Sequence, residues 1–177
     1  MRDFTYKICI FGDFSVGKTT LCSKYLTGIF ESCIKVTMGI NIRVKEFRLN
    51  NNNIALQIWD FGGEQRFRYL FQHYAKGASG GIFMYDITRR SSLVSIDEWL
   101  RDFNRWLIER KARVPLLMVG GKLDLANNRE VTVEEAKVFA DSRNIDYFME
   151  CSAKTGENVE KVFDLITKEI MKKYGHI

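Results

Sequence analysis

The chain has 177 residues, 46% of them hydrophobic and 28% charged, and a formal net charge of +5. That balance is ordinary for one soluble globular domain spanning 1–177 and excludes a disordered or low-complexity chain. The small basic excess reads as a solvated surface, and no nucleic-acid partner is expected.

Along the chain, strand-like and helix-like runs alternate. Tyr6 to Phe11 is an apolar run suited to a buried strand, and Thr20 to Leu26 suits a helix. Between them lies Gly12-Asp13-Phe14-Ser15-Val16-Gly17-Lys18-Thr19, the pattern G-x-x-x-x-G-K-[ST]. In a strand–loop–helix context this is a phosphate-binding loop. Its backbone N–H groups and the helix N-terminus make an anion site. Asp13, Ser15, Val16, Gly17, Lys18, Thr19 and Thr20 are therefore candidate nucleotide contacts. Lys18 would reach the outer phosphates, and the Thr19 hydroxyl would sit on Mg2+.

Asn41 to Leu49 and Ile54 to Trp59 alternate apolar with polar residues around the turn signal at Asn50 to Asn53, as a hairpin does. Gly80 to Asp86, Val114 to Gly120 and Asp146 to Cys151 suit central strands. Over Ser92 to Arg110, residues Leu93, Ile96, Trp99, Leu100, Phe103, Trp106 and Leu107 recur at helical spacing and predict a core-facing stripe. Thr132 and Glu135 predict a capping box for a helix reaching about Ser142. Val159, Val162, Phe163, Ile166 and Ile170 mark a last helix ending near Lys173. The expected fold is α/β: a mixed, mainly parallel six-stranded sheet of P-loop NTPase type, with helices on both faces and the hairpin as antiparallel edge. Ligands should bind at the carboxyl ends of the strands.

Three strand ends carry further chemistry. Asp60 follows an apolar strand near the phosphate loop and suits a magnesium partner; Gly63 would let its N–H approach a terminal phosphate. In Lys122-Leu123-Asp124, the lysine stem can lie over a purine and the carboxylate can accept from N1 and the exocyclic amine of guanine. Adenine would leave that carboxylate unpaired, at a cost of about 1–3 kcal/mol. After the last strand comes Cys151-Ser152-Ala153-Lys154, where the Ala153 N–H can donate to the guanine oxygen. Either triplet alone is weak; both in order at strand ends are specific.

With these motifs the chain resembles a small GTPase of the Ras superfamily, nearest the Rab and Ras branches, from Tyr6 to about Lys173. Trp59-Asp60, Tyr85-Asp86-Ile87-Thr88 and Ser152-Ala153-Lys154 stand as those families write them. The resemblance implies binding of GTP/GDP with Mg2+ held by Thr19, Thr37 and Asp60. It makes Phe30 the aromatic against guanine and Lys122, Asp124, Ser152, Ala153 and Lys154 the base site. It implies that Lys18, Thr37, Gly63, Glu64 and Gln65 serve hydrolysis. Residues 29–39 and 61–76 would be the two switches, meeting effectors, an exchange factor and activating proteins. Ile42, Trp59 and Tyr74 fall where Rab proteins carry a hydrophobic effector triad.

Three positions depart from the pattern. Where the family reads D-x-x-G-Q-E, this chain reads Asp60-Phe61-Gly62-Gly63-Glu64-Gln65. A carboxylate cannot donate to a phosphoryl oxygen and is repelled by the γ-phosphate, so slow hydrolysis is expected, with Glu64 as a poor replacement or a weak base. Phe14 replaces a small residue and can crowd an incoming arginine finger. Gly121 stands where the family has Asn or Thr ahead of Lys122, which should loosen the base loop and speed release of nucleotide. Two alternatives to a slow switch stay open: a non-hydrolysing GTP-binding interaction module, and a P-loop kinase or ATPase that both base motifs disfavour.

The four cysteines, Cys9, Cys22, Cys33 and Cys151, form no C-x-x-C pair and suit a reduced compartment. Arg2 excludes N-myristoylation, and no cysteine near Tyr174 to Ile177 can be prenylated. A cytoplasmic monomer without a lipid anchor is expected. The lysines of 168–173 read as a solvated helix face, and His73 and His176 show no catalytic or zinc pattern.

Overall fold

A computed structural model describes residues 3–32, 36–110 and 113–177, with the backbone alone for 106–110. Cys33 therefore lies outside the described residues, as do the side chains of Trp106 and Leu107. Strands run over Phe4–Phe11 (β1), Ile40–Leu49 (β2), Asn52–Phe61 (β3), Gly80–Asp86 (β4), Leu116–Gly121 (β5) and Tyr147–Glu150 (β6). They form one sheet in the order β2-β3-β1-β4-β5-β6. Only the β2–β3 pair is antiparallel. Asn50 and Asn51 turn that hairpin with φ of 50° and 64°, a left-handed conformation that asparagine tolerates.

Side-chain alternation divides the core between the faces. Cys9 and Phe11 of β1, with Phe83 of β4, join an aromatic cluster containing Phe71, Trp99 and Phe103. Ile8, Ile10 and Ile82 pack on the other face with Leu21, Tyr25 and Phe163, the last two stacked at 3.8 Å. The helices are Lys18–Thr27 (α1), Arg68–Tyr74 (α2), Arg90–Val94 (α3), Ile96–Arg110 (α4), Val133–Asp141 (α5) and Val159–Lys173 (α6). Cys9, Cys22 and Cys151 are buried and free, and burial pushes the Cys9 and Cys151 thiols up to about 12.

Two expectations are corrected in detail. The helix predicted from Ser92 to Arg110 is two, parted at Ser95, whose Oγ donates to the Ser92 carbonyl; such local bonds compete with the helical ladder. The Leu93, Ile96, Trp99, Leu100 and Phe103 stripe is nonetheless buried. The capping box is half made. Thr132 Oγ1 accepts from the Glu135 N–H at 3.1 Å, but the Glu135 carboxylate pairs with Arg90. Among the described residues, no helix is long and apolar enough to cross a membrane.

Candidate nucleotide site

The loop after β1, the end of β3 and the loops after β5 and β6 meet at one edge of the sheet. Gly12 makes the first turn possible: its φ is 137°, and a Cβ there would lie 2.1 Å from the Met84 carbonyl oxygen. The chain then enters α1 at Lys18, which is 5% exposed. Lys18 Nζ donates to the carbonyl oxygens of Gly12 at 2.8 Å and Asp13 at 2.7 Å. Burial pushes the lysine down to about 8, opposed by the nearby carboxylates of Asp60 and Asp13. A buried ammonium satisfied only by carbonyl dipoles is poised for an anion.

Thr19, Thr37 and Asp60 are brought together beside it. Thr19 Oγ1 donates to Asp60 Oδ2 at 2.6 Å, and the Thr19 and Thr37 hydroxyls are 2.6 Å apart. Asp60 is 2% exposed, and its Oδ1 is buried with no hydrogen-bond partner among the described residues. Burial raises its carboxyl pKa, against the hydrogen bond from Thr19 and the charge of Lys18. An orphaned carboxylate oxygen flanked by two hydroxyls fits a hard divalent cation that takes few protein ligands and completes its shell with water and phosphate. No group of three or more His, Cys, Asp or Glu ligands occurs among the described residues.

Lys18, Thr19 and Thr37 border a cavity of about 250 Å3, lined also by Ser15, Gly17, Thr20 and Gly63; Asp60 stands behind Thr19, held by its hydroxyl. A Cβ on Gly63 would lie 2.4 Å from the Phe14 nitrogen, so only glycine fits this close to the phosphate loop. A second cavity of about 290 Å3 is lined by Val16, Phe30, Asp124, Ala153 and Lys154. Gly17, Thr20, Ser32 and Lys122 line both cavities, so the two are contiguous. Buried Ser152 orients Asp124 by donating from Oγ to Oδ1 at 2.6 Å, and Lys154 Nζ is 4.0 Å from Oδ2. The Leu123 N–H donates to the Cys151 carbonyl at 3.0 Å and ties the two base loops together. Lys122 holds Asp86 at 2.6 Å. Burial disfavours that carboxylate, but Lys122 and Thr88 outweigh it and hold the carboxyl below its usual range.

Some candidates stand elsewhere. The Asp13 carboxylate accepts from Trp99 Nε1 at 3.3 Å, so what Asp13 offers the loop is its backbone. Glu64 and Gln65 line a neighbouring crevice with Phe14, Arg66 and Arg89 rather than the phosphate cavity. Glu64 pairs with Arg66 at 2.6 Å, and Gln65 opens a short 3-10 turn. Phe14 is 47% exposed, and its carbonyl accepts from Arg89 at 2.6 Å. The sequence reading missed Arg89 and Met84, because neither belongs to a motif; only the fold brings them to the loop.

A family model described as Ras family matches residues 7–172. The chain belongs to the Ras family. Ras-related protein Rab-19 of Xenopus laevis is 36% identical over 169 residues, covering 96% of this chain and 78% of its own. Ras-related protein Rab-1 of Theileria parva is 37% identical over 172 residues, covering 97% and 76%. GTP-binding protein ypt1 of Schizosaccharomyces pombe is 34% identical over 174 residues, covering 98% and 84%. The chain is thus a Rab-like small GTPase of the Ras superfamily, with a sheet and helices to match. The three positions where Rab proteins carry a hydrophobic triad lie together: Ile42 is paired with Trp59 across the β2–β3 ladder, and the Trp59 and Tyr74 rings are 6.3 Å apart.

Proposed function

We propose that this Ras-family chain is a single guanine-nucleotide-binding domain, switching between GTP- and GDP-bound forms and hydrolysing GTP slowly. The observation that carries this reading is the pair of contiguous cavities, one lined by Lys18 and by Thr19, which is bonded to Asp60, the other by Ala153 and by Asp124, which is bonded to Ser152. Their chemistry matches a nucleoside polyphosphate: a buried cation and loop N–H groups for phosphates, and an oriented carboxylate for the guanine N1 and amine hydrogens. Thr19, Thr37 and Asp60 would hold Mg2+, which when bound supplies charge neutralisation between the outer phosphates. Thr37 and Gly63 both line the phosphate cavity, so loss of the γ-phosphate would release the two switch segments that carry them, and partners would read Ile42, Trp59 and Tyr74 beside them. Effectors, an exchange factor and activating proteins would meet that surface.

Chelation tests the metal half of the reading. Release of fluorescent GDP should accelerate at least about tenfold when excess EDTA replaces Mg2+. Asp60→Asn should release GDP quickly in either condition. Identical release with and without Mg2+ in the parent protein would overturn the assignment of Thr19 and Asp60.

A further inference from the structure

The base loop and the phosphate loop must stay in register for one nucleotide to be held at both ends, yet Gly121 has no side chain to join them. The structure shows what stands there instead. Met84 lies on β4 and is 2% exposed. A Cβ on Gly121 would lie 2.4 Å from Met84 Cε and 3.0 Å from the Val16 carbonyl oxygen. A Cβ on Gly17 would lie 3.4 Å from the same Cε. The thioether methyl is therefore lodged in the notch between the phosphate loop and the end of β5. It also lines the base-side cavity with Val16 and Asp124.

We propose that Met84 is an apolar latch between the phosphate loop and the base loop, and that it sets how long this protein keeps its nucleotide. The inference deepens the guanine-nucleotide reading and rests on it. A methionine suits the task because its unbranched, polarizable chain fills an irregular gap and its contacts add up by close packing. Glycine at 121 leaves room for that methyl: a Cβ there would meet Cε at 2.4 Å and displace it. Methionine at 84 and glycine at 121 are one device. The site is thus not left open by the missing Asn or Thr, and the rapid release expected from Gly121 alone is not the prediction of the whole structure.

The test is a double-mutant cycle on release of fluorescent GDP in Mg2+, with the intact chain. Met84→Ala empties the notch and should speed release roughly 10- to 100-fold, whereas Met84→Leu, which keeps most of the bulk but has no ε carbon, should speed it less. Gly121→Asn alone should also speed release, because Met84 must vacate. Met84→Ala with Gly121→Asn should release more slowly than either single variant, since the amide then has room to reach the Val16 carbonyl. Should Met84→Ala fail to fold, Met84→Val carries the same cycle. Release unchanged in Met84→Ala, or effects that simply add in the cycle, would overturn the latch. A parent protein that retains no GDP at all would instead overturn the guanine-nucleotide reading beneath it.

Discussion

Replacing Lys18 by methionine should weaken GDP binding by about 10²–10³-fold while leaving the nucleotide-free protein as stable as the parent or more so. The two halves have one cause. Lys18 is buried as a cation whose hydrogen-bond acceptors among the described residues are the carbonyls of Gly12 and Asp13, and burial already pulls its pKa down to about 8. Without a phosphate its charge is a net cost of folding; with one it is the strongest single contact the loop makes. Methionine matches the length of the buried stem and removes the charge. The measurement is the melting temperature of parent and variant, first stripped of nucleotide and then with saturating GDP. The variant should melt no lower than the parent when empty and gain far less from GDP. A variant that melts well below the parent when empty would show that Lys18 is structural.

Glu64→Gln should raise single-turnover hydrolysis of preloaded GTP by at least about tenfold. In the structure Glu64 faces Arg66 across a 2.6 Å ion pair and lines the crevice beside the phosphate cavity. That pair holds its charge away from where a terminal phosphate would lie, and a carboxylate drawn inward would meet like charge. Glutamine removes both restraints and restores a donor and an acceptor on one side chain, so an attacking water can be oriented while phosphate oxygen is contacted. A variant that loses activity would make Glu64 a working base, its carboxylate taking the proton of the water. GTP left intact by both proteins over many hours would mark the chain as a non-hydrolysing binding module.

The succession of strands along the chain and the phosphate loop were legible because each is written locally. An apolar run before Gly12 and a helix-forming run after Lys18 leave the loop little freedom, and alternation in 41–49 shows the hairpin face by face. The base site was legible for a different reason: Lys122-Leu123-Asp124 and Ser152-Ala153-Lys154 each end a strand, and parallel strands deliver their carboxyl ends to one edge. The short helix α2 was not legible. Its residues 68–74 mix aromatic and charged groups without a clean stripe, and Arg68 is fixed by an ion pair with Asp102 on another helix. Sequence also could not show that Asp13 would turn to Trp99, 86 positions away, or that Met84 would fill the place left by Gly121. Both depend on contacts across the sheet, where spacing along the chain carries no signal.

The most direct test of the account is competition for a bound fluorescent GDP by unlabelled GTP and ATP, with an Asp124→Asn variant alongside. Guanine recognition through Asp124 predicts displacement by GTP at concentrations at least about 100-fold below those needed for ATP. In Asp124→Asn, GTP should lose most of that advantage, because the amide presents a donor where the guanine also donates. Equal displacement by GTP and ATP from the parent protein would contradict the base site, and with it the reading of this chain as a guanine-nucleotide switch.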